Sequence, residues 1–465
     1  MKDFNNIPNI YFLGIGGIGM SALARYAKAM GKNVAGYDLT QTPLTLELEN
    51  EGIAVHYHEE INQFSSIFLN NNTLVVRTPA VPASNSEFQY LKSNGYQMVK
   101  RSELLGFLTN GKVCIAVAGT HGKTSVSTMI THLIHSSGTD VGAFLGGISR
   151  NFDSNLVLPK SENSLVVTEA DEYDRSFLQL HPAIAVVTAV DADHLDIYGT
   201  HENVIEAFGA FIGNITDGGK LVYKKGLDLK SYFNSKIKAY SYSIIEEADF
   251  YIKNLKIENA AFHFDIHSPF LTITDVRMEY PGRVNLENML AAAAVAILSG
   301  VDPVEIKKAI PGYKGVVRRF DIRFKNNEVV YIDDYAHHPF ELEATIKSVK
   351  EMYPSKKVLG IFQPHLFSRT NDFAEGFAAS LDLLDEAILL DIYPARELPM
   401  PGVTSAIILD RMKLKNKSIV KKEVLIQELK NRQYDVLLTM GAGNIDQLIE
   451  PVTQMLNQQY QQNEP

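Results

Sequence analysis

The chain predicts a three-domain α/β protein in which each domain is built on a largely parallel sheet. Strand-like apolar runs alternate with helical patterns almost throughout, the order that parallel sheets with crossover helices require. Two glycine-rich turns, at 14–19 and 119–122, each follow an apolar strand and open a helical pattern. At 465 residues the sequence also exceeds what one hydrophobic core organises.

The first strand is Asn9 to Leu13, a helical pattern covers Met20 to Met30, and a second strand, Asn33 to Tyr37, ends at Asp38. This βαβ unit carries G-x-G-x-x-G at Gly14, Gly16 and Gly19, with Gly17 between them and an acid about twenty residues on. Thr73 to Arg77 reads as a later strand leading into Thr78-Pro79-Ala80, and Gly106 to Lys112 as a connector. In the next block, Ser164 to Thr168 and Ile184 to Thr188 read as buried parallel strands. They run into Glu169-Ala-Asp171-Glu172 and Asp191-Ala-Asp193-His194. Ala291 to Ser299 is an alanine-rich helix, and Pro311-Gly312 a break. Beyond it, strands are expected at Val329–Ile332, Val358–Phe362, Glu386–Leu390 and Val436–Met440. Boundaries follow at 1–107, 108–312 and 313–465.

Ile115 to Ala118 ends in Gly119-Thr120-His121-Gly122-Lys123-Thr124-Ser125, and a helical pattern follows. Glycines there let backbone N–H groups converge on phosphate oxygens, and the helix N-terminus adds positive potential. Lys123 suits the β/γ phosphates and Thr124 a Mg²⁺ ion (or Mn²⁺). The strict G-x-x-x-x-G-K-[ST] spacing fails, because its first glycine would fall at Val117; the loop is a shorter variant. A Rossmann-like N-terminal domain, a central domain of P-loop ATPase type and a C-terminal Rossmann-like domain are therefore expected. Thr124 and Glu169 form the natural oxygen pair for the metal, and His194 beside Asp193 suits a second one. In the last block, Asp333-Asp334-Tyr335-Ala336-His337-His338 and Gln363-Pro364-His365, with Arg369 close behind, follow adjacent-looking strands. Ligands of open α/β sheets bind at such ends. Arg369 suits a carboxylate or phosphate, and Arg318-Arg319 suit nucleotide phosphates.

Composition excludes several classes. A net charge of −10 argues against a nucleic-acid binder with a broad basic surface, and the basic run from Arg411 to Lys422 reads as a solvated face. The single cysteine, Cys114, permits no intramolecular disulfide and reads as a buried small hydrophobe. No secretory signal and no membrane-length apolar run is seen, so a cytoplasmic protein is expected.

Taken together, Gly14-Ile-Gly-Gly-Ile-Gly-Met-Ser21, Gly119-Thr-His-Gly-Lys-Thr124, Glu169-Ala-Asp-Glu172, Ala192-Asp-His-Leu-Asp-Ile-Tyr198, Pro281-Gly-Arg-Val-Asn285-Leu-Glu-Asn288, Arg318-Arg-Phe320, Asp333-Asp-Tyr-Ala-His-His-Pro339 and Phe362-Gln-Pro-His-Leu-Phe-Ser-Arg369 resemble the Mur ligase family from Gly14 to roughly Gly443. The resemblance implies an ATP- and Mg²⁺-dependent ligase, a monomer or homodimer, that joins L-alanine to the lactoyl carboxylate of UDP-N-acetylmuramate. Its N-terminal domain would hold the UDP end of that substrate, not a nicotinamide, through Gly14, Gly16, Gly17, Gly19, Met20, Ser21, Asp38, Thr78, Pro79 and Ala80, with His121 near the muramoyl end. ATP would meet Gly119 to Ser125, with Asn288 at the adenine, Asp333 at the ribose and Arg319 at the phosphates. Thr124, Glu169 and His194 would serve the metals. His338, His365 and Arg369 would line the alanine pocket, Arg369 taking the carboxylate; Lys123, His194, His338 and His365 are the expected catalytic set.

Some positions depart from the family pattern. Thr124-Ser125-Val126 stands where Thr-Thr-Thr is common, Val284 where a His is usual, and Leu366 where some relatives have an Arg. No lysine occurs between Leu195 and Gly219, so no carbamylated lysine is expected in that helix. Four rival readings remain: a muropeptide-recycling ligase using an L-Ala-γ-D-Glu-diaminopimelate acceptor, an NAD-dependent dehydrogenase, a P-loop switch and a non-enzymatic UDP-sugar sensor. The second and third leave much of the chain idle, and the fourth predicts losses at Lys123 or the C-terminal His/Arg set that the sequence does not show.

Overall fold

The structure, a computed structural model, describes residues 4–59, 66–70, 72–192, 195–258, 261–395 and 397–461. The chain forms two compact units. One comprises residues 1–254, 264–276 and 287–314; the other comprises 255–263, 277–286 and 315–465.

The first unit holds one sheet entirely and most of a second. β1 (Asn9–Leu13), β2 (Asn33–Tyr37), β3 (Ala54–His56), β4 (Thr73–Arg77) and β5 (Gln97–Lys100) pair in parallel in the order β3-β2-β1-β4-β5. β1 is buried along its whole length, as a central parallel strand covered on both faces must be. The helix Ile18–Ala29 packs on β1 and β2 and reaches β7 and β8 of the second sheet.

That sheet contains β6 (Cys114–Ala118), β7 (Val141–Ser149), β8 (Ser154–Val157), β9 (Leu165–Glu169), β10 (Ile184–Val187), β11 (Lys220–Lys224), β12 (Lys238–Ser243), β13 (Phe250–Glu258), β14 (Ala261–His267) and β15 (Thr272–Met278). Its order is β15-β14-β13-β12-β11-β10-β6-β9-β7-β8. β10, β6 and β9 run parallel at its centre, so the loops after all three open at one edge. β7 and β8 pair antiparallel. The alanine-rich helix is longer than its apolar run suggested, Arg283–Leu298, and Ala291 to Ala296 are fully buried.

Where a connector was expected, a helix spans Arg101–Thr109, its first turn closed by the Glu103 carboxylate on the Lys100 N–H at 2.6 Å. Gly106, the first residue of the expected connector, lets this helix approach the backbone of Gln179: a Cβ there would sit 3.2 Å from the Gln179 carbonyl carbon.

The second unit carries β16 (Asp321–Lys325), β17 (Val330–Asp334), β18 (Val358–Phe362), β19 (Glu386–Leu389), β20 (Lys417–Ile419) and β21 (Val436–Met440), ordered β16-β17-β21-β18-β19-β20. All pair in parallel except β16, which is antiparallel to β17. β17 runs two residues further than the sequence suggested, so Asp333 and Asp334 end the strand and are buried. No helix among the described residues is long and apolar enough to cross a membrane.

Candidate active site

The phosphate loop turns between β6 and the helix Lys123–Ser136. Gly119 at φ +138° and Gly122 at φ +86° occupy backbone conformations that side chains disfavour. Around them the loop is pinned: the Thr120 N–H donates to Ala189 O at 3.1 Å, the Thr120 hydroxyl to Asp191 at 3.2 Å, and the Thr188 hydroxyl to His121 O. A Cβ on Gly119 would collide with the Thr188 hydroxyl and lie 2.9 Å from the Ala189 nitrogen. Gly119→Ala is therefore expected to abolish MgATP binding measurable by calorimetry while the N-terminal domain's ligand binding survives.

Lys123 folds back on this loop. Its ammonium donates to Gly119 O at 2.7 Å and to both oxygens of Glu172 at 2.8 Å. Thr124 hydrogen-bonds Glu169, which ends β9 and accepts the Gly146 N–H at 3.0 Å. Burial pushes the Glu169 carboxyl above its ordinary value, against the opposing pull of Thr124 and Lys123. Asn288 is buried with its Oδ1 against Gly122, and His121 lies 3.5 Å from Asp191. Ser125 is half-buried in the first helical turn. Asp193 and His194 lie outside the described residues.

A cavity of about 230 Å³ opens between the first glycine turn, the middle of β7 and the end of β9. Gly17, Gly19, Thr78 and Arg101 line one side, and Gly146, Glu169 and Asp171 the other. Gly14 closes its turn by donating to Tyr37 O at 2.8 Å. Asp38, which a dinucleotide-binding reading would assign to a ribose, accepts the Gly16 N–H at 2.8 Å. Pro79 and Ala80 are exposed beyond Thr78. Met20 also lines the cavity but is 2% exposed. Ser21 is fully buried and held by Asn155 at 2.9 Å, so in this structure it braces the helix against β8.

In the second unit, His337 rather than His338 sits beside His365, their ring centroids 6.3 Å apart. His338 instead stacks on Phe340 and meets Phe373 edge-on. The strand-to-helix turn sends successive side chains in different directions, which adjacency in sequence does not reveal. His365 stacks on Tyr393 at 5.7 Å, and its Nδ1, like Oε1 of Gln363, is buried without a hydrogen-bond partner among the described residues.

Burial, then the neighbouring His337 and Arg369 charges, bring the His365 imidazole down to about 4. The folded value lies below the ordinary one, so His365 contributes stability near neutrality that fades as pH falls from about 6.5 towards about 4. His365→Gln should accordingly flatten the acid side of the stability–pH curve, and the His365 ring in the parent protein should titrate near 4 by NMR. A wild-type value near 6.5 would remove the basis for this expectation.

Two expected nucleotide contacts also belong to this unit. The Arg319 guanidinium lies 5.0 Å from the Tyr335 ring centre. Asp333 has no exposed surface, and its two oxygens are committed to Thr439 at 2.7 Å and Arg318 at 3.2 Å. Held inward by these two partners, the carboxylate differs from the ribose contact that the family resemblance implies.

Residues 9–113, 117–296 and 318–443 match, in that order, the profiles described as Mur ligase family, catalytic domain; Mur ligase middle domain; and Mur ligase, glutamate ligase domain. The chain is a Mur ligase. This Mur ligase is 49% identical over 458 residues to the UDP-N-acetylmuramate–L-alanine ligase of Parabacteroides distasonis, across 98% of this chain and 99% of that one. It is 48% identical over 456 residues to the enzyme of the same name from Flavobacterium johnsoniae, again over 98% and 99%. Among solved structures, the UDP-N-acetylmuramate–alanine ligase of Thermotoga maritima superposes with a TM-score of 0.79 at 26% identity, covering 98% of this chain and 100% of that one. A murein peptide ligase from Psychrobacter arcticus shares the fold, with a TM-score of 0.69 at 21% identity over 96% and 98%. The expected three-domain α/β fold and ATP-dependent ligase class of the Mur ligase follow from these likenesses.

Sequence reasoning passed over Arg101, Gly146, Glu172 and His337 of this Mur ligase. Glu172 stood in a quoted motif and His337 beside a chosen residue, whereas Arg101 carries no sequence signal beyond its place after β5.

Proposed function

We propose that this Mur ligase joins L-alanine to the lactoyl carboxylate of UDP-N-acetylmuramate, consuming ATP, in the making of peptidoglycan precursors. The observation that carries the reading is Glu169. It hydrogen-bonds Thr124 of the phosphate loop and also lines the 230 Å³ cavity beside the first glycine turn, so one carboxylate borders both a nucleotide and a sugar-nucleotide position.

A carboxylate resists attack by an amine. The γ-phosphoryl group is therefore first transferred to the lactoyl oxygen, and the acyl phosphate then yields to the neutral α-amine with phosphate as leaving group. Loop N–H groups and Lys123 hold the phosphates in line and offset their charge. Thr124 and Glu169 offer hard oxygen donors that fit a Mg²⁺ ion. When bound, Mg²⁺ neutralises phosphate charge. Gly16, Gly17, Gly19, Thr78 and Arg101 receive the diphosphate end of the sugar nucleotide. Arg369 takes the alanine carboxylate, with His365 neutral beside it. The enzyme works in the cytoplasm as a monomer or homodimer.

Phosphate release from MgATP with UDP-N-acetylmuramate present tests the reading, with L-Ala, L-Ser, Gly and the L-Ala-γ-D-Glu-diaminopimelate tripeptide as acceptors. Release that requires both UDP-N-acetylmuramate and L-Ala, with the amide seen by mass, is expected. Release with the tripeptide alone would move the protein to muropeptide recycling.

A further inference from the structure

The phosphate-loop lysine is paired with a carboxylate of its own chain. The Glu172 side chain is 1% exposed and that of Lys123 17%, and the ammonium is engaged by both Glu172 oxygens and by Gly119 O. These contacts direct it inward, onto its own loop. Glu172 cannot readily follow the lysine outward, because the turn that bears it is braced. Tyr198 donates to Glu172 O at 2.5 Å, and the Arg175 N–H donates to the same oxygen at 2.9 Å. On either side, Asp171 meets Arg101 at 3.1 Å and Asp174 meets Lys100 at 2.8 Å. The last two bonds come from the end of β5 and the helix after it, and Arg101 lines the cavity beside the glycine turn.

We propose that Glu172 is a positioning residue that holds Lys123 on the loop carbonyl in the nucleotide-free enzyme and releases it to the incoming β and γ phosphates. The proposal rests on the reading of Lys123 as a phosphate ligand. An ammonium–carboxylate pair is a charge-assisted contact, so phosphate binding must displace or share it, and the affinity for nucleotide is set lower than an unheld lysine would give. The brace through Asp171 and Asp174 fixes the holding carboxylate relative to the cavity.

The test is calorimetry of MgADP and of AMP on the full chain, for the parent, Glu172→Gln, Lys123→Ala and the double variant, with KM for ATP and kcat alongside. Glu172→Gln keeps the shape and an acceptor oxygen but removes the charge. It should bind MgADP roughly tenfold tighter and lower KM for ATP, with AMP affinity unchanged. On the Lys123→Ala background the same substitution should give no tightening. MgADP binding by Glu172→Gln no tighter than the parent's, or a tightening that persists without Lys123, would overturn the proposal. A Lys123→Ala variant that binds MgADP as well as the parent would instead remove the phosphate-ligand reading beneath it. If Glu172→Gln does not fold, Glu172→Asp, whose shorter side chain loosens the hold, should shift MgADP binding in the same direction by less; no shift overturns the proposal.

Discussion

Lys123→Ala is expected to lower ATP-dependent amide formation by at least about a thousandfold while UDP-N-acetylmuramate still binds within about threefold of the parent affinity. Phosphoryl transfer leaves the protein little covalent chemistry, so a lysine that neutralises charge as it builds on the transferred group carries a large share of the acceleration. UDP-N-acetylmuramate affinity should survive because the cavity between the glycine turn at 14–19, Thr78, Arg101 and Glu169 is lined by no residue of the phosphate loop. The measurements are amide formation by mass, and calorimetry with the sugar nucleotide alone. Loss of both would overturn the assignment of the sugar nucleotide to a cavity that Lys123 does not line. The substitution also leaves the buried Glu172 carboxylate without its cation, a change that lowers stability. Lys123→Ala/Glu172→Gln should regain stability without regaining rate, which separates a folding defect from a chemical one.

Arg318→Ala is expected to destabilise the C-terminal unit by about 3 kcal/mol, because it strands a carboxylate that has no access to solvent. Arg318 reaches Asp333 at 3.2 Å through Nε and Gly441 O at 2.6 Å through Nη2, tying β17 to the loop after β21. A loss of that size should lower the melting transition of the unit by about 10 °C. Burial already raises the Asp333 carboxyl above its ordinary value, and Arg318 opposes that rise. Removing the arginine raises it further. A raised carboxyl favours the fold while protonated and loses that contribution as pH climbs through the folded value, so the deficit should be larger at neutral than at acid pH. Arg318→Ala/Asp333→Asn should recover more than half the lost stability, since an amide needs no cation and can still accept from Thr439. A single variant that melts like the parent would show that Asp333 is better solvated than its burial implies.

Local chemistry made much of the fold readable. β6 and the turn after it are a strand of five buried residues meeting a Gly-x-x-Gly-Lys pattern, and both signals lie within a dozen residues. The strands β1, β9, β10, β18 and β21 stood out for the same reason, as short apolar runs bounded by turns. The helix Arg101–Thr109 did not, because the glycine that weakens its local signal serves a contact with Gln179, which is distant in sequence. Asp333 illustrates the limit from the other side. Its motif marks a strand end, but that Thr439 and Arg318 close over the carboxylate is decided by segments distant in sequence.

The sequence by itself determined the α/β class, the glycine turns, the phosphate loop and the chemical types gathered at the strand ends, because each depends on neighbours a few residues away. Only the tertiary structure decided that Lys123 pairs with Glu172, that Arg101 braces Asp171, that His337 rather than His338 accompanies His365, and that Arg318 neutralises Asp333. Those pairings join residues that come from segments far apart in the chain or from turns whose course the fold sets. A buried charge finds its counterion through the geometry of packed elements, and spacing along the chain does not encode that distance.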